Sequence, residues 1–126
     1  MKMTVGITAA PLEAPSEGPS VRVSGAVVVF SGLVRPEEDG RPIAALEYEA
    51  YEPMARDEMV RILEELATRF PCESVEVLHR IGRVGAGEAS IVVRVAARHR
   101  AEAFGLLAAF MDRLKKDVPI WKRTSP

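Results

Sequence analysis

The order of hydrophobic and polar positions alternates between extended and helical periods. Residues 4–9 form a short apolar, strand-like start. Residues 11–20 gather Pro, Glu, Ser and Gly and predict a loop or connector. Residues 25–32 are β-branched and apolar at successive positions, which predicts a strand buried on both faces. Pro36, Gly40 and Pro42 mark residues 35–42 as a flexible surface loop. In residues 43–51, Ala45, Glu47 and Glu49 alternate with Leu46, Tyr48 and Ala50, so a strand with one wet face is expected.

Pro53 suits the first turn of a helix, and Met59, Val60, Leu63, Leu66, Ala67 and Phe70 follow at helical spacing until Pro71 closes it. Residues 74–82 and 88–98 read as two more strands, with Gly82, Gly85 and Gly87 in the hairpin loop between them. A second helix over residues 101–116 puts Phe104, Leu107, Ala108, Met111 and Leu114 on one face. Pro119 stops it, and residues 120–122 are a last extended piece.

From residue 43 onward the order is strand, helix, strand, strand, helix, strand. That order predicts an α+β fold, a two-layer sandwich with an antiparallel sheet, a βαββαβ-like core and both helices on one face. The earlier strands extend the sheet or form a small extra β region. A chain of 126 residues has room for one domain and is short for two. Residues 1–126 are therefore read as one domain, with residues 1–24 as an N-terminal strand and variable loop. Apolar runs such as residues 25–30 fall far short of the roughly 20 residues of a membrane span. The start also lacks the charged, apolar and small-residue order of a secretory leader, so a cytoplasmic protein is expected.

Charge refines this picture. The net charge of −1 argues against a broad polyanion surface. Its distribution is uneven: from Glu47 to Glu76 there are nine acids against three arginines, whereas from Arg98 to the end seven Lys/Arg face three acids. One basic end on a near-neutral protein points to a local anion site. Cys72 is the only cysteine, which excludes an internal disulfide and a cysteine metal cluster. With only His79 and His99 and no framing carboxylates, no metal site is expected.

Within the basic end, Lys115 lies eleven positions after Phe104 and four after Met111, so it points along the apolar helix face. Its stem would reach the rim of the core with the ammonium directed beyond it. A lysine favouring the helix C-terminus explains the same position. Lys116, Lys122 and Arg123 follow within eight residues, across Pro119, which would let the chain turn back and bring Lys115 and Lys122 close together. Such a pair suits acid–base work or anion capture, and a solvated basic terminus remains the alternative. His99-Arg100 sits at a strand-to-helix junction, which is either an anion site or a solvent-facing cap pair. Arg35 follows a strand and opens a loop, a common place for functional side chains.

Five segments together resemble the large, catalytic subunit family of molybdopterin synthases. They are Gly25-Ala-Val-Val-Val-Phe-Ser-Gly-Leu-Val-Arg35, Leu46-Glu-Tyr-Glu-Ala-Tyr51, and His79-Arg-Ile-Gly82 with Gly87-Glu88. Ala97-Arg-His-Arg-Ala-Glu-Ala-Phe104 and Met111-Asp-Arg-Leu-Lys-Lys-Asp-Val-Pro-Ile-Trp-Lys-Arg123 complete the set. The resemblance implies the family's α/β hammerhead fold and a sulfurtransferase of molybdenum cofactor biosynthesis that needs no cofactor of its own. A ubiquitin-like small subunit brings sulfur as a thiocarboxylate on a Gly-Gly C-terminus. Two sulfurs pass in turn to cyclic pyranopterin monophosphate, whose cyclic phosphate opens to give molybdopterin.

By position, the resemblance makes Lys115 and Lys122 the active-site lysines. It assigns Arg35, His99 and Arg100 to the substrate-phosphate pocket, along with the backbone at Leu33-Val34 and at Lys122-Arg123-Thr124. It also implies a homodimer of large subunits within a heterotetramer, in which His99 and Arg100 complete the neighbour's site. Leu33 departs from the family by standing where a polar or basic residue is common. Residues 11–20 are shorter and less helical than usual, Lys116 is an extra charge, and relatives commonly run on past the position of Pro126. A non-catalytic ferredoxin-like binding module and an inactive paralogue are the alternatives. Against RNA binding, residues 74–78 and 91–95 carry no aromatics for base stacking. The presence of both lysines speaks against an inactive paralogue.

Overall fold

Residues 91–95, rich in β-branched side chains, run along an inner strand of the main sheet. The computed structural model describes residues 1–13 and 24–126. Its elements are β1 (Lys2–Thr8), β2 (Ala26–Leu33), β3 (Glu37–Glu38), β4 (Arg41–Pro42), β5 (Ala45–Ala50), α1 (Met54–Ala67), β6 (Ser74–Arg80), β7 (Gly82–Gly85), β8 (Ala89–Ala97), α2 (Arg100–Asp117) and β9 (Ile120–Ser125). From residue 14 onward, the connector expected over residues 11–20 lies outside the described residues.

Four strands make the main sheet in the order β1-β6-β8-β2. Strand period sends Val75 and Val77 of β6, and Ile91, Val93, Val95 and Ala97 of β8, to one face. There they pack with Met59, Ile62, Leu63 and Leu66 of α1 and Ala103, Leu106, Leu107, Phe110 and Leu114 of α2. The α+β class and the placing of both helices on one face match the sequence expectation. The sheet is mixed, because β1 runs parallel to β6 while β6, β8 and β2 pair antiparallel.

A second sheet, in the order β7-β5-β9, carries its own small core of Val34, Leu46 and Val84. The expected βαββαβ order is present along the chain with one further strand, β7, between β6 and β8, and its first and last strands, β5 and β9, pair with each other here. Strands β1 and β2 complete the main sheet instead. Gly82–Gly85, expected to be loop, is a strand paired with β5.

Residues 25–32 were expected to be buried on both faces, and the structure corrects this. Strand β2 lies at a sheet edge, where Phe30 and Val28 pack on the core while Val27, Val29 and Leu33 stay exposed. A register shift at Gly32/Leu33 re-aims the end of β2. The expected loop over residues 35–42 is a small hairpin of β3 and β4, turned by Asp39 and Gly40 at positive φ (52° and 77°).

The helices sit close together. A Cβ on Gly105 of α2 would lie 2.5 Å from two ring atoms of Phe70, which follows α1. Gly105→Ala gains about 1 kcal/mol of helix propensity. Overpacking against a ring held between elements costs roughly 1–3 kcal/mol. The net expectation is a loss of about 1 kcal/mol, read as a lowered melting temperature, and a raised one would refute it.

Candidate active site

Where the end of β2, the start of β8, the last turns of α2 and strand β9 converge, they enclose a cleft of about 600 Å³. Its walls include Leu33, Arg35, Met111, Lys115, Ile120 and Lys122. Val118 ends α2 in an extended conformation and Pro119 follows, so the chain reverses into β9. Tyr48 of β5 pairs with Lys122, which keeps β9 against the cleft. Arg35, Lys115 and Lys122, three of the basic residues singled out from sequence, therefore share one cavity. It combines an apolar floor with convergent cations, which suits an organic anion.

The cations differ in their ties. Lys122 donates from Nζ to Oε1 of Glu38 at 3.1 Å, and Arg35 Nη2 lies 3.7 Å from Oε2 of the same carboxylate. Lys115 is exposed on the last turn of α2, and among the described residues it has no ion pair.

The row containing Lys115 differs from expectation. The core face of α2 is Ala103, Leu106, Leu107, Phe110 and Leu114. Phe104 is 56% exposed and Ala108 is exposed, and with Leu107, Met111 and Lys115 they line an open groove of about 460 Å³ beside Phe30. The geometric relation of Lys115 to Phe104 and Met111 holds, but the row faces a groove because the helix is rotated by part of a turn. The Lys115 ammonium is accordingly not desolvated in the free chain.

Other expected site residues lie apart. His99 and Arg100 are exposed at the start of α2, fifteen residues before Lys115, or about 22 Å along the axis at 1.5 Å per residue. Within one chain they do not reach the cleft. Arg123 alternates to the opposite face of β9, where its guanidinium meets Glu47 at 3.4 Å and Glu49 at 3.6 Å. Thr124 is exposed on β9 beside Leu46. Val34 is buried in the small core, and its N–H donates to the Glu88 carbonyl at 2.9 Å. That N–H is thus committed to the protein's own backbone.

Two contributors were missed. Glu38 belonged to the expected loop, although Asp39-Gly40 is a hairpin signal that would have placed it on a strand. His79 shares the parity of Val75 and Val77, so β6 carries it into the cleft wall, 5% exposed and edge-on to Tyr48 at 5.3 Å. Its Nδ1 lies 2.8 Å from the Arg80 carbonyl, so the neutral ring donates there and keeps Nε2 as an acceptor.

Burial pushes the His79 pKa below its usual value, partly offset by the bond to Arg80. The unfolded state then binds more protons than the native state as pH falls through about 6.5, so stability is fully present above that pH and is lost below it. Unfolding free energy should drop by up to about 1.4 kcal/mol per pH unit in this window from His79 alone. His79→Gln should flatten that slope in denaturant titrations between pH 7 and 5, and an unchanged slope would show the ring already charges in the native state.

Cys72 does not suit sulfur chemistry. Burial, then the charges of Glu73 and Glu102, push its thiol up to about 11, so it is not a thiolate at neutral pH. Among the described residues, no group of three or more His, Cys, Asp or Glu is placed to hold a metal ion. No helix there is long and apolar enough to cross a membrane.

The rest of the His79-Arg-Ile-Gly82 and Gly87-Glu88 pattern is architecture. Glu88 accepts from Arg80 at 3.0 Å and from the Gly85 N–H at 2.7 Å, fixing the corner where the chain leaves the main sheet for the small one.

The family described as MoaE protein matches residues 7–117. The molybdopterin synthase catalytic subunit of Pyrococcus abyssi is 48% identical over 100 residues, covering 79% of this chain and 68% of that protein. Its counterpart from Nostoc sp. is 44% identical over 101 residues, covering 79% of this chain and 61% of that protein. This chain thus spans less than two thirds of the Nostoc protein. The crystal structure of molybdopterin synthase from Staphylococcus aureus superposes with a TM-score of 0.82 at 31% identity, over 94% of this chain and 88% of that chain. A chain from the complex of subunits 1 and 2 of the Helicobacter pylori molybdopterin-converting factor shares the fold, with a TM-score of 0.70 at 21% identity over 97% of this chain and 83% of that one. On the profile match and these identities, the chain belongs to the MoaE family.

Proposed function

We propose that this protein is the catalytic subunit of a molybdopterin synthase, a sulfurtransferase acting on cyclic pyranopterin monophosphate in the cytoplasm, with residues 1–126 working as one domain. The observation that carries this reading is the convergence of Arg35, Lys115 and Lys122 on one cleft at the end of an apolar groove. Membership of the family, whose relatives in Pyrococcus abyssi and Nostoc sp. are molybdopterin synthase catalytic subunits, supports it.

The sulfur arrives as the C-terminal thiocarboxylate of a ubiquitin-like small subunit, which suits a chain whose single cysteine is held protonated. The Helicobacter pylori complex of two subunits on the same fold is consistent with such a partner. Lys115 and Lys122 hold the thiocarboxylate and the developing negative charge of the transfer step. Arg35 binds the substrate phosphate, with Leu33 as apolar wall and the β9 backbone at Lys122-Arg123-Thr124 as its edge. His99 and Arg100, remote in their own chain, serve the same phosphate from the second copy of a homodimer.

Mixing this protein with thiocarboxylated small subunit and cyclic pyranopterin monophosphate tests the proposal. Molybdopterin is the expected product, and its absence with a partner that binds would overturn the reading.

A further inference from the structure

Among the described residues, Glu38 is the one carboxylate paired with cations of the cleft, Lys122 and Arg35. It stands on β3, in a hairpin whose Asp39-Gly40 turn and Ile43 N–H to Pro36 carbonyl bond (3.0 Å) fix its direction. Its side chain is only 16% exposed, whereas those of Lys122 and Arg35 are 50% and 76% exposed. One oxygen takes the Lys122 ammonium and the other faces the Arg35 guanidinium. Exposed ion pairs contribute little to stability, so the hairpin does not need this carboxylate to hold it. Its consequence is electrostatic: it withdraws one positive charge from a site that must bind an anion.

We propose that Glu38 sets the charge selectivity of the cleft, favouring a singly charged phosphate diester over a doubly charged phosphate monoester. This rests on the synthase reading, in which the cyclic phosphate that enters is a diester and the opened phosphate that leaves is a monoester. The Coulomb penalty from a fixed negative charge scales with ligand charge, so the product is repelled about twice as strongly in free energy as the substrate. Arg35 and Lys122 supply attraction, and Glu38 limits it so that the dianion is released.

The test uses two simple probes, phenyl phosphate at pH 8 as the dianion and methyl phenyl phosphate as the monoanion. Their affinities for wild-type protein and Glu38→Gln are measured by calorimetry, with thermal unfolding of both proteins as a control for folding. Neutralising one charge at about 5–6 Å in nearly water-like surroundings should tighten the monoanion about three-fold and the dianion about ten-fold. Equal tightening of both probes, weaker binding by the variant, or no binding of either probe to either protein overturns the proposal. The measurement needs neither partner nor turnover. A failed molybdopterin assay beside the expected probe result would therefore remove the synthase reading and leave the charge selectivity standing.

Discussion

Lys115→Ala should lower the rate of molybdopterin formation roughly 100-fold or more, with the fold and the partner's affinity retained, by the usual effect of losing a positioned electrostatic group. The fold is spared because Lys115 is exposed and lies on the groove row of α2, so its removal leaves no cavity beside Phe110 or Leu114. The rate is not spared because, among the described residues, Lys115 has no ion pair, whereas Lys122 is shared with Glu38. Its charge gains effect when the partner's tail and the substrate fill the cleft and displace water, since Coulomb terms grow as the local dielectric falls. Lys122→Ala also removes a cation, but it leaves Glu38 with Arg35 as its one remaining cation among the described residues, so part of its effect will be on substrate affinity. Single-turnover rates at saturating partner and substrate, with melting temperatures for both variants, separate these cases. Near wild-type turnover for Lys115→Ala would remove that residue from the mechanism.

Much of the site was legible in the sequence because it depends on local order. Pro119 follows the last turn of α2, and a reversal there necessarily returns Lys122 toward Lys115. The elements themselves follow from hydrophobic period, and each expected strand or helix from residue 43 onward is present within a few residues. Pairing is not a local property, however. The alternation in Ala45–Ala50 records one wet face without recording that β9, and not β6, lies alongside. The β-branched run of β2 reads like a central strand, yet Val27 and Val29 face outward from an edge. Gly82–Gly85 looks like a loop from its glycines, but pairing with β5 makes it a strand. The places of Glu38 and His79 in the cleft were not legible for a related reason. Their meaning comes from what lies opposite them, Lys122 and Tyr48, which are 84 and 31 positions away in sequence. The separation of His99 and Arg100 from Lys115 is, in contrast, readable as soon as α2 is known to be one unbroken helix of 18 residues.

Removing the final two glycines of the small subunit should weaken its binding modestly and abolish sulfur transfer. The groove beside α2 runs from exposed Phe104 past Leu107, Ala108 and Met111 to Lys115, and Lys115 also lines the cleft. An extended tail that lies in this groove therefore ends at the cations. Glycine suits the final positions because it has no side chain and its backbone approaches closely. Most affinity should come from a wider interface with apolar anchors, and Phe104 is the large exposed residue at the groove's outer end. The tail contributes the electrostatic part, a terminal anion attracted by Lys115 and Lys122, so that part should fall as ionic strength rises from 0.05 to 0.5 M, where the Debye length shrinks to about 4–5 Å. Calorimetry of full-length and truncated partner at both salt levels should show the two affinities converging at high salt. Turnover with the truncated partner, or no binding of the full-length one, would mean that the groove and cleft of this chain do not deliver sulfur in this way.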